Sequence, residues 1–205
     1  MTPLVIEPHY LGNLEYYGLI LQAESVVLEV SDYFPKQTFR NRCYVLGSNK
    51  VLPLIVPVSY SHRTLTKEVT IDNFQRWRKD HRGAFYSSYG KAPFYEFFSD
   101  EIEEIWRKEY KYLIDLTLDL LSLTLKWLQK DVKMTLSESY EENSADDFRD
   151  VITPKKPFVD RKIYQEIPYS QLFGDNFIPN LSIIDLIMCE GPQAPDILSA
   201  SFLKH

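Results

Sequence analysis

Cysteine is scarce. Only Cys43 and Cys189 occur, far apart and without metal-ligand spacing. Two lone thiols in a chain with room for a full core read as buried residues of a reducing compartment, not as a disulfide framework. The chain also lacks a GxGxxG turn, a Walker loop, a GxSxG elbow, an HExxH helix and any His-rich cluster. These absences argue against a nucleotide fingerprint, a serine-hydrolase nucleophile and a metal site, so no cofactor and no metal are expected. A basic excess is missing as well. Lys plus Arg number 23 against 29 Asp plus Glu, a formal charge of −6. That excludes a general nucleic-acid binder and leaves room for a local basic site. The opening MTPLVIEPHYLGNLEYYGLIL has no basic leader region and no small-residue cleavage site. The most apolar helix candidate, Tyr110 to Leu128, carries Lys111, Asp115, Asp119 and Lys126, too many charges for a membrane span. No solenoid repeat is visible. A cytoplasmic protein is expected; its oligomeric state is left open.

What is present is a chain of 205 residues, 44% hydrophobic, enough for one domain with a sizeable core. Leu4-Val5-Ile6 reads as a short buried strand. Leu14, Tyr17 and Leu21 then fall at helical spacing behind a capping Asn13, and Ser25 to Val30 forms a second β-branched run. Strand, helix and strand within thirty residues predict a βαβ unit and a mostly parallel sheet. Phe34 to Leu46 predicts a strand with Arg40, Arg42 and Tyr44 on one face. With Val51 to Val58, broken by Pro53 and Pro57, it forms a hairpin at a sheet edge. Asp72 or Asn73 caps a helix from about Phe74 toward Tyr86, ended by Gly90 and Pro93. The apolar stripe from Phe94 through Leu128 predicts a long helix or helix pair, and Asp131 to Leu136 a short strand. Ser137 to Asp150 is acidic and Ser-rich, so residues 137–160 read as a surface loop. A last apolar helix around Asp185 stops at Gly191, and Pro192 opens another. The fold class is α/β: residues 1–205 form a single domain, a mostly parallel sheet with flanking helices and a long helical middle.

Chemistry concentrates in Ile71 to Phe98, which holds Trp77, His81, Tyr89 and Lys91. His81 lies four residues after Trp77, on the same helix face, and an imidazole moves protons near neutral pH. The plainer reading is a surface histidine among Arg78, Lys79 and Arg82. Arg40, Asn41 and Arg42, with Lys36, offer planar forks and a point charge for phosphate or carboxylate. They are equally typical of a solvated edge strand. His9 and Tyr10 follow the first strand, with Ser31-Asp32-Tyr33 after the second. In a parallel sheet ligands sit at such carboxyl ends. A turn histidine bonded to a backbone carbonyl is the alternative. Tyr89-Gly90-Lys91 before a helix loosely suits an anion. Asp185, alone in an apolar helix, needs a buried partner such as Arg40, Arg42 or His81 unless that stripe is exposed.

Four segments together resemble the WbqC-like family: IEPHYLGNLEYYGLILQAESVVLEV, YFPKQTFRNRCYV leading to LIVPV, WRKDHRGAFYSSYGKAPFYEFF, and YSQLFGDNFIPNLSIIDLIMCEGPQA. They cover well over half the chain in order. Within them Glu7 stands where the family usually has Gln, and Gly12-Asn13 replaces a Pro-Trp-like step. The resemblance implies a role in surface-polysaccharide (O-antigen-type) biosynthesis, with acyl or aminoacyl (glycine-type) transfer to an aminosugar. On matching positions it points to His9, Tyr10, Lys36, Arg40, Asn41, Arg42, Trp77, Lys91 and, as catalytic groups, His81, Tyr89 and Asp185. In that reading His81 is the general base, Arg40 and Arg42 hold an anionic group of donor or acceptor, and Tyr89 or Lys91 steadies the oxyanion. The expected partner is a small-molecule sugar or acyl donor. A non-catalytic glycan-binding or interaction module fits the 14 Tyr and 12 Phe as well. A nucleotidyl-type transferase is a third reading, against which PHYLGN lacks an HxGH-like step.

Overall fold

A three-residue strand, β1 (Leu4–Ile6), is buried along its whole length and is paired on both sides. Near-continuous apolar character is what a strand covered on both faces requires. In a computed structural model, which describes residues 2–141 and 146–203, β1 sits inside a four-stranded parallel sheet. The partners are β2 (Ser25–Leu28), β7 (Lys133–Leu136) and β8 (Asp146–Asp147), in the order β7-β2-β1-β8. Register places Leu4 beside Val26 and Ile6 beside Leu28 on one face, and Val5 beside Val27 on the other, with Val27 beside Thr135.

Helix α1 (Leu14–Gln22) links β1 to β2 and completes the expected βαβ unit. Asn13 caps it, its Oδ1 accepting from Tyr16 N at 3.0 Å. Leu14 through Ile20 are buried without exception, so even Glu15 lies inside. The Arg161 guanidinium meets that carboxylate with two parallel bonds of 2.8 and 2.6 Å.

Everything between Glu29 and Val132 is one long crossover from β2 to β7. It contains the hairpin of β3 (Arg42–Leu46) and β4 (Val51–Ile55), and the short pair β5 (Val58–Ser59) and β6 (Thr70–Ile71). Three helices follow: α2 (Trp77–Tyr89), α3 (Tyr95–Arg107) and α4 (Leu113–Trp127). The helical middle is thus a set of separate helices and not one rod. Helix α5 (Ile183–Glu190) is apolar all round except at Asp185 and its terminal Glu190, and touches α2, α3, α4, β3 and the final helix α6 (Ala194–Ala200). A helix hydrophobic all round belongs at a centre; Ile183 to Cys189 are all buried.

Three local expectations are corrected. Arg40 and Arg42 do not share a strand face, because Phe39–Asn41 is a turn of 3-10 helix and β3 begins only at Arg42. Helix α2 begins three residues later than read. Asp72 spends its oxygens on Phe74 N and Gln75 Nε2, closing a turn ahead of the helix. The acidic stretch read as a surface loop contributes β8, the parallel edge strand beside β1; its residues 142–145 lie outside the described residues.

Gly191 ends α5 with φ +50°, and a Cβ there would fall 2.4 Å from the Phe94 ring. Gly83 lies inside α2 with open space around it. Two glycine-to-alanine changes therefore have opposite signs. Gly83→Ala raises the melting temperature by about 2–4 °C, from a helix-propensity gain of about 1 kcal/mol. Gly191→Ala lowers stability by about 1–3 kcal/mol from backbone strain alone. Thermal unfolding of both variants checks the pair.

Candidate functional site

The four parallel strands end at one edge, and each is followed by a polar side chain. Glu7 follows β1, Glu29 follows β2, Ser137 follows β7, and Arg149 and Asp150 follow β8. Glu29 is buried. Its Oε1 accepts from Ser31 N at 2.8 Å and from Ser137 Oγ at 2.6 Å, while Oε2 accepts from Arg149 Nη1 at 2.9 Å. Arg149 also donates from Nε to Asp147 at 2.9 Å and lies over the Tyr140 ring at 4.4 Å. Glu29, Ser137, Glu138, Glu141 and Arg149 line a cleft of about 340 Å³ that continues onto the Val5, Val27 and Thr135 face of the sheet.

A second cluster begins one residue on from Arg149, at Asp150. Arg40 is only 1% exposed. Its Nη1 donates to Asp32 Oδ1 at 3.0 Å and to Thr66 at 2.9 Å, and its Nη2 meets Asp32 Oδ2 at 2.7 Å and Asp150 at 3.4 Å. Glu7 links Asp150 to His9. Its Oε2 accepts from Asp150 N at 3.0 Å, and its Oε1 lies 3.1 Å from His9 Nε2. Burial alone would push the Glu7 carboxyl up. The His9 hydrogen bond and the Arg40 guanidinium are among the interactions that hold it below the ordinary value.

Since Glu7 is held ionised, His9 Nε2 carries the hydrogen and donates. In the neutral ring Nδ1 is then the lone-pair nitrogen. This Nδ1 is buried and has no hydrogen-bond partner in the protein. The ring is fixed by stacking on Tyr16, centroids 4.2 Å apart at 19°. Five carboxylates at this edge (Glu7, Glu29, Asp32, Asp147, Asp150) meet two guanidiniums (Arg40, Arg149), so the edge favours a cationic visitor. Among the described residues no group of His, Cys, Asp and Glu is arranged to hold a metal ion.

The other residues singled out from sequence lie in three further places. Tyr10, His81 and Trp77 are interior. Trp106 Nε1 donates to Tyr10 OH at 2.9 Å, Tyr10 OH donates to His81 Nδ1 at 2.8 Å, and His81 Nε2 donates to the Ile55 carbonyl at 3.1 Å. Both ring nitrogens of His81 are thereby used, and burial lowers its pKa to about 4. Trp77 packs edge-on to it at 5.1 Å. Asn41 braces the hairpin, donating to Val56 O at 2.8 Å, and Arg42 opens β3 opposite Ile55; Lys36 is exposed. Tyr89, Asp185 and Lys91 lie near the end of α2. Asp185 does not meet Arg40, Arg42 or His81. It accepts from Tyr89 OH at 2.9 Å, Tyr169 OH at 2.6 Å and Gln171 Nε2 at 3.0 Å. Burial pushes its carboxyl up, against the three bonds that favour ionisation. Cys43 and Cys189 are free and buried, with thiols pushed up by desolvation.

Glu7 as a functional group, Glu29, Thr66, Ser137, Arg149 and Asp150 escaped the sequence reading. Applying the strand-end rule to all four parallel strands would have found most of them.

The sequence profile of the WbqC-like protein family matches residues 7–156 and 157–197. The chain belongs to the WbqC-like protein family. A curated relative, the uncharacterized protein Rv1507c of Mycobacterium tuberculosis (strain ATCC 25618 / H37Rv), is 24% identical over 225 residues, covering 95% of this chain and 96% of the relative. No solved structure matches the chain. No helix among the described residues is long and apolar enough to cross a membrane. The sheet-edge cluster and the His81 relay thus both lie within the span that defines this WbqC-like chain.

His81 makes stability depend on pH. Its folded pKa of about 4 lies below the ordinary 6.5, so between those values the unfolded chain binds a proton that the folded chain does not. Stability from this group is present above about pH 6.5 and is lost as pH falls toward 4, by on the order of 2–3 kcal/mol. Urea unfolding of wild type and His81→Gln at several pH values should show the wild-type advantage shrinking on acidification. A pH-independent difference would contradict the buried neutral ring.

Proposed function

We propose that the carboxyl edge of the parallel sheet is the active site of a transferase in surface-polysaccharide biosynthesis, moving an acyl or aminoacyl group to the amine of an aminosugar. The observation that carries this reading is the Glu7–His9 pair, with Nδ1 of His9 unpartnered at the end of the first parallel strand. A base oriented by a carboxylate through its other nitrogen is the arrangement general-base catalysis needs. The excess of carboxylates around the edge favours an amine-bearing acceptor, which arrives as an ammonium. After the acceptor loses its first proton to solvent, its nitrogen attacks the acyl carbon of the donor. The C–N bond forms, and the remaining extra proton on nitrogen passes to His9 Nδ1. The imidazolium is stabilised by Glu7 and returns the proton to the departing group as its bond to the acyl carbon breaks.

This reading transfers the base role from His81 to His9, because the His81 lone pair is taken by Tyr10 OH. Arg40 likewise is not offered to substrate. It holds Asp32 with both of its terminal nitrogens and helps to keep Glu7 ionised.

Incubation of the protein with a glycyl thioester and a nucleotide-linked aminosugar, read by mass spectrometry for amide formation, tests the proposal. His9→Asn lowers kcat by about 10²–10⁴-fold, the usual worth of a general base, and because it also removes the buried partner of Glu7 the rates are compared at a temperature where thermal unfolding shows both proteins folded. Glu7→Gln keeps an acceptor for Nε2–H and lowers it less. Equal turnover in wild type and His9→Asn, or no amide from the wild type, overturns it.

A further inference from the structure

A second cleft lies apart from the sheet edge and shares no residue with it. It is enclosed by the last turn of α2, the β3–β4 turn and the segment at Leu172-Phe173, and has a volume of about 350 Å³. A smaller hollow of about 210 Å³ adjoins it across Ser48 and Phe173, adding Asn49, Lys50, Asp175 and Asn176. We propose that this cleft binds a pyranose carrying an anionic group, a carboxylate or a phosphate.

Four observations support this. Tyr86 is 66% exposed, yet its ring is seated: a Cβ on Gly90 would come within 3.1 Å of it. Gly90 thus lets an aromatic platform lie flat against the chain, and Tyr95 backs it at 6.0 Å, nearly edge-on. Ser88, at 1% exposure, lines the cleft with a buried hydroxyl that has no partner. An unpaired buried hydroxyl costs free energy until a ligand satisfies it. Exposed Lys91 supplies a cation at the rim. The walls are also held in fixed relation. Asp185 binds Tyr89, between Ser88 and Gly90, together with Tyr169 and Gln171, which lead into Leu172-Phe173. Gln171 closes the loop by bonding both N and O of Ile178 at 2.9 Å. Asp185 is in this account a positioning residue.

The chemistry follows from the lining. Aromatic rings take the apolar C–H face of a sugar, as they take other apolar faces. Hydroxyls of Ser48, Ser87 and Ser88 match ring hydroxyls, and an ammonium takes the anion as a point charge. The cleft itself has one cation, Lys91, and several hydroxyls, and in the adjoining hollow Lys50 is offset by Asp175, so the lining suits a single charged sugar better than a polyanion.

Titration of the full chain with glucuronate, galacturonate, glucose 1-phosphate and neutral glucose, followed by ligand-detected NMR, tests the proposal. The expected result is saturable binding of at least one anionic sugar, about ten-fold tighter than glucose, with the uronate and phosphate arms showing which anion is preferred. Tyr86→Ala abolishes binding, and Lys91→Met reduces it to the level of glucose. Ser88→Ala weakens it without lowering the melting temperature, because the hydroxyl it removes has no partner to lose. His9→Asn leaves this binding unchanged, so either site can fail without the other. Absence of saturable binding by all three anionic sugars, or binding that Tyr86→Ala and Lys91→Met both leave intact, overturns the proposal.

Discussion

The guanidinium of Arg40 is the charge on which the sheet edge depends. Burial alone would lower its affinity for a proton, but Glu7, Asp32 and Asp150 outweigh that and hold it ionised. Its partners come from remote parts of the chain. Asp32 follows β2, Thr66 belongs to the crossover, and Asp150 follows β8. One side chain therefore ties the start of the long crossover to its middle and to the far edge of the sheet. Removing a single partner of a buried pair strands a charge, typically at a cost of about 3–5 kcal/mol. The same positive charge helps keep Glu7 ionised, and an ionised Glu7 fixes the tautomer of His9. Fold and candidate chemistry rest on the same cation.

The molecule uses its polar residues in contrasting ways. Tyr10, Trp106 and His81 form a closed relay in which each hydrogen finds an acceptor, and its end at the Ile55 carbonyl fastens α2 to β4. Such a relay specifies packing and uses both ring nitrogens of His81 internally, at the wall of a cleft of about 350 Å³. His9 is the opposite case, satisfied on one nitrogen and buried without a partner on the other. Asp185 is a third. With two phenols and an amide instead of a cation, it is a connector between α5, α2 and the loop after Tyr169.

How much was legible in the sequence depended on whether the cause was local. The run Leu4-Val5-Ile6, the Asn13 cap and the Gly191 stop are set by neighbouring residues, and each stands where its own chemistry puts it. Arg40 was misplaced onto a strand because alternation was read one turn too early, across Phe39–Asn41. Strand β8 was hidden by composition: Asp146-Asp147 has no strand propensity and pairs only because β1 offers an open edge. His81 carried its own clue. It shares a helix face with Trp77, Phe85 and Ser88, all buried, so the spacing that made it look functional also marks the inward face. The sheet-edge cluster was the least visible, since its members meet only after the crossover has folded.

The central claim is that His9 presents an unprotonated Nδ1 while Nε2–H is held by Glu7. Nitrogen-15 NMR of the imidazole rings tests it most directly, with the His9 signals assigned by their loss in His9→Asn. The account predicts an N–H on Nε2 and an imine-type Nδ1. A His9 ring with its hydrogen on Nδ1 would contradict it, and with it the base at the edge of the sheet.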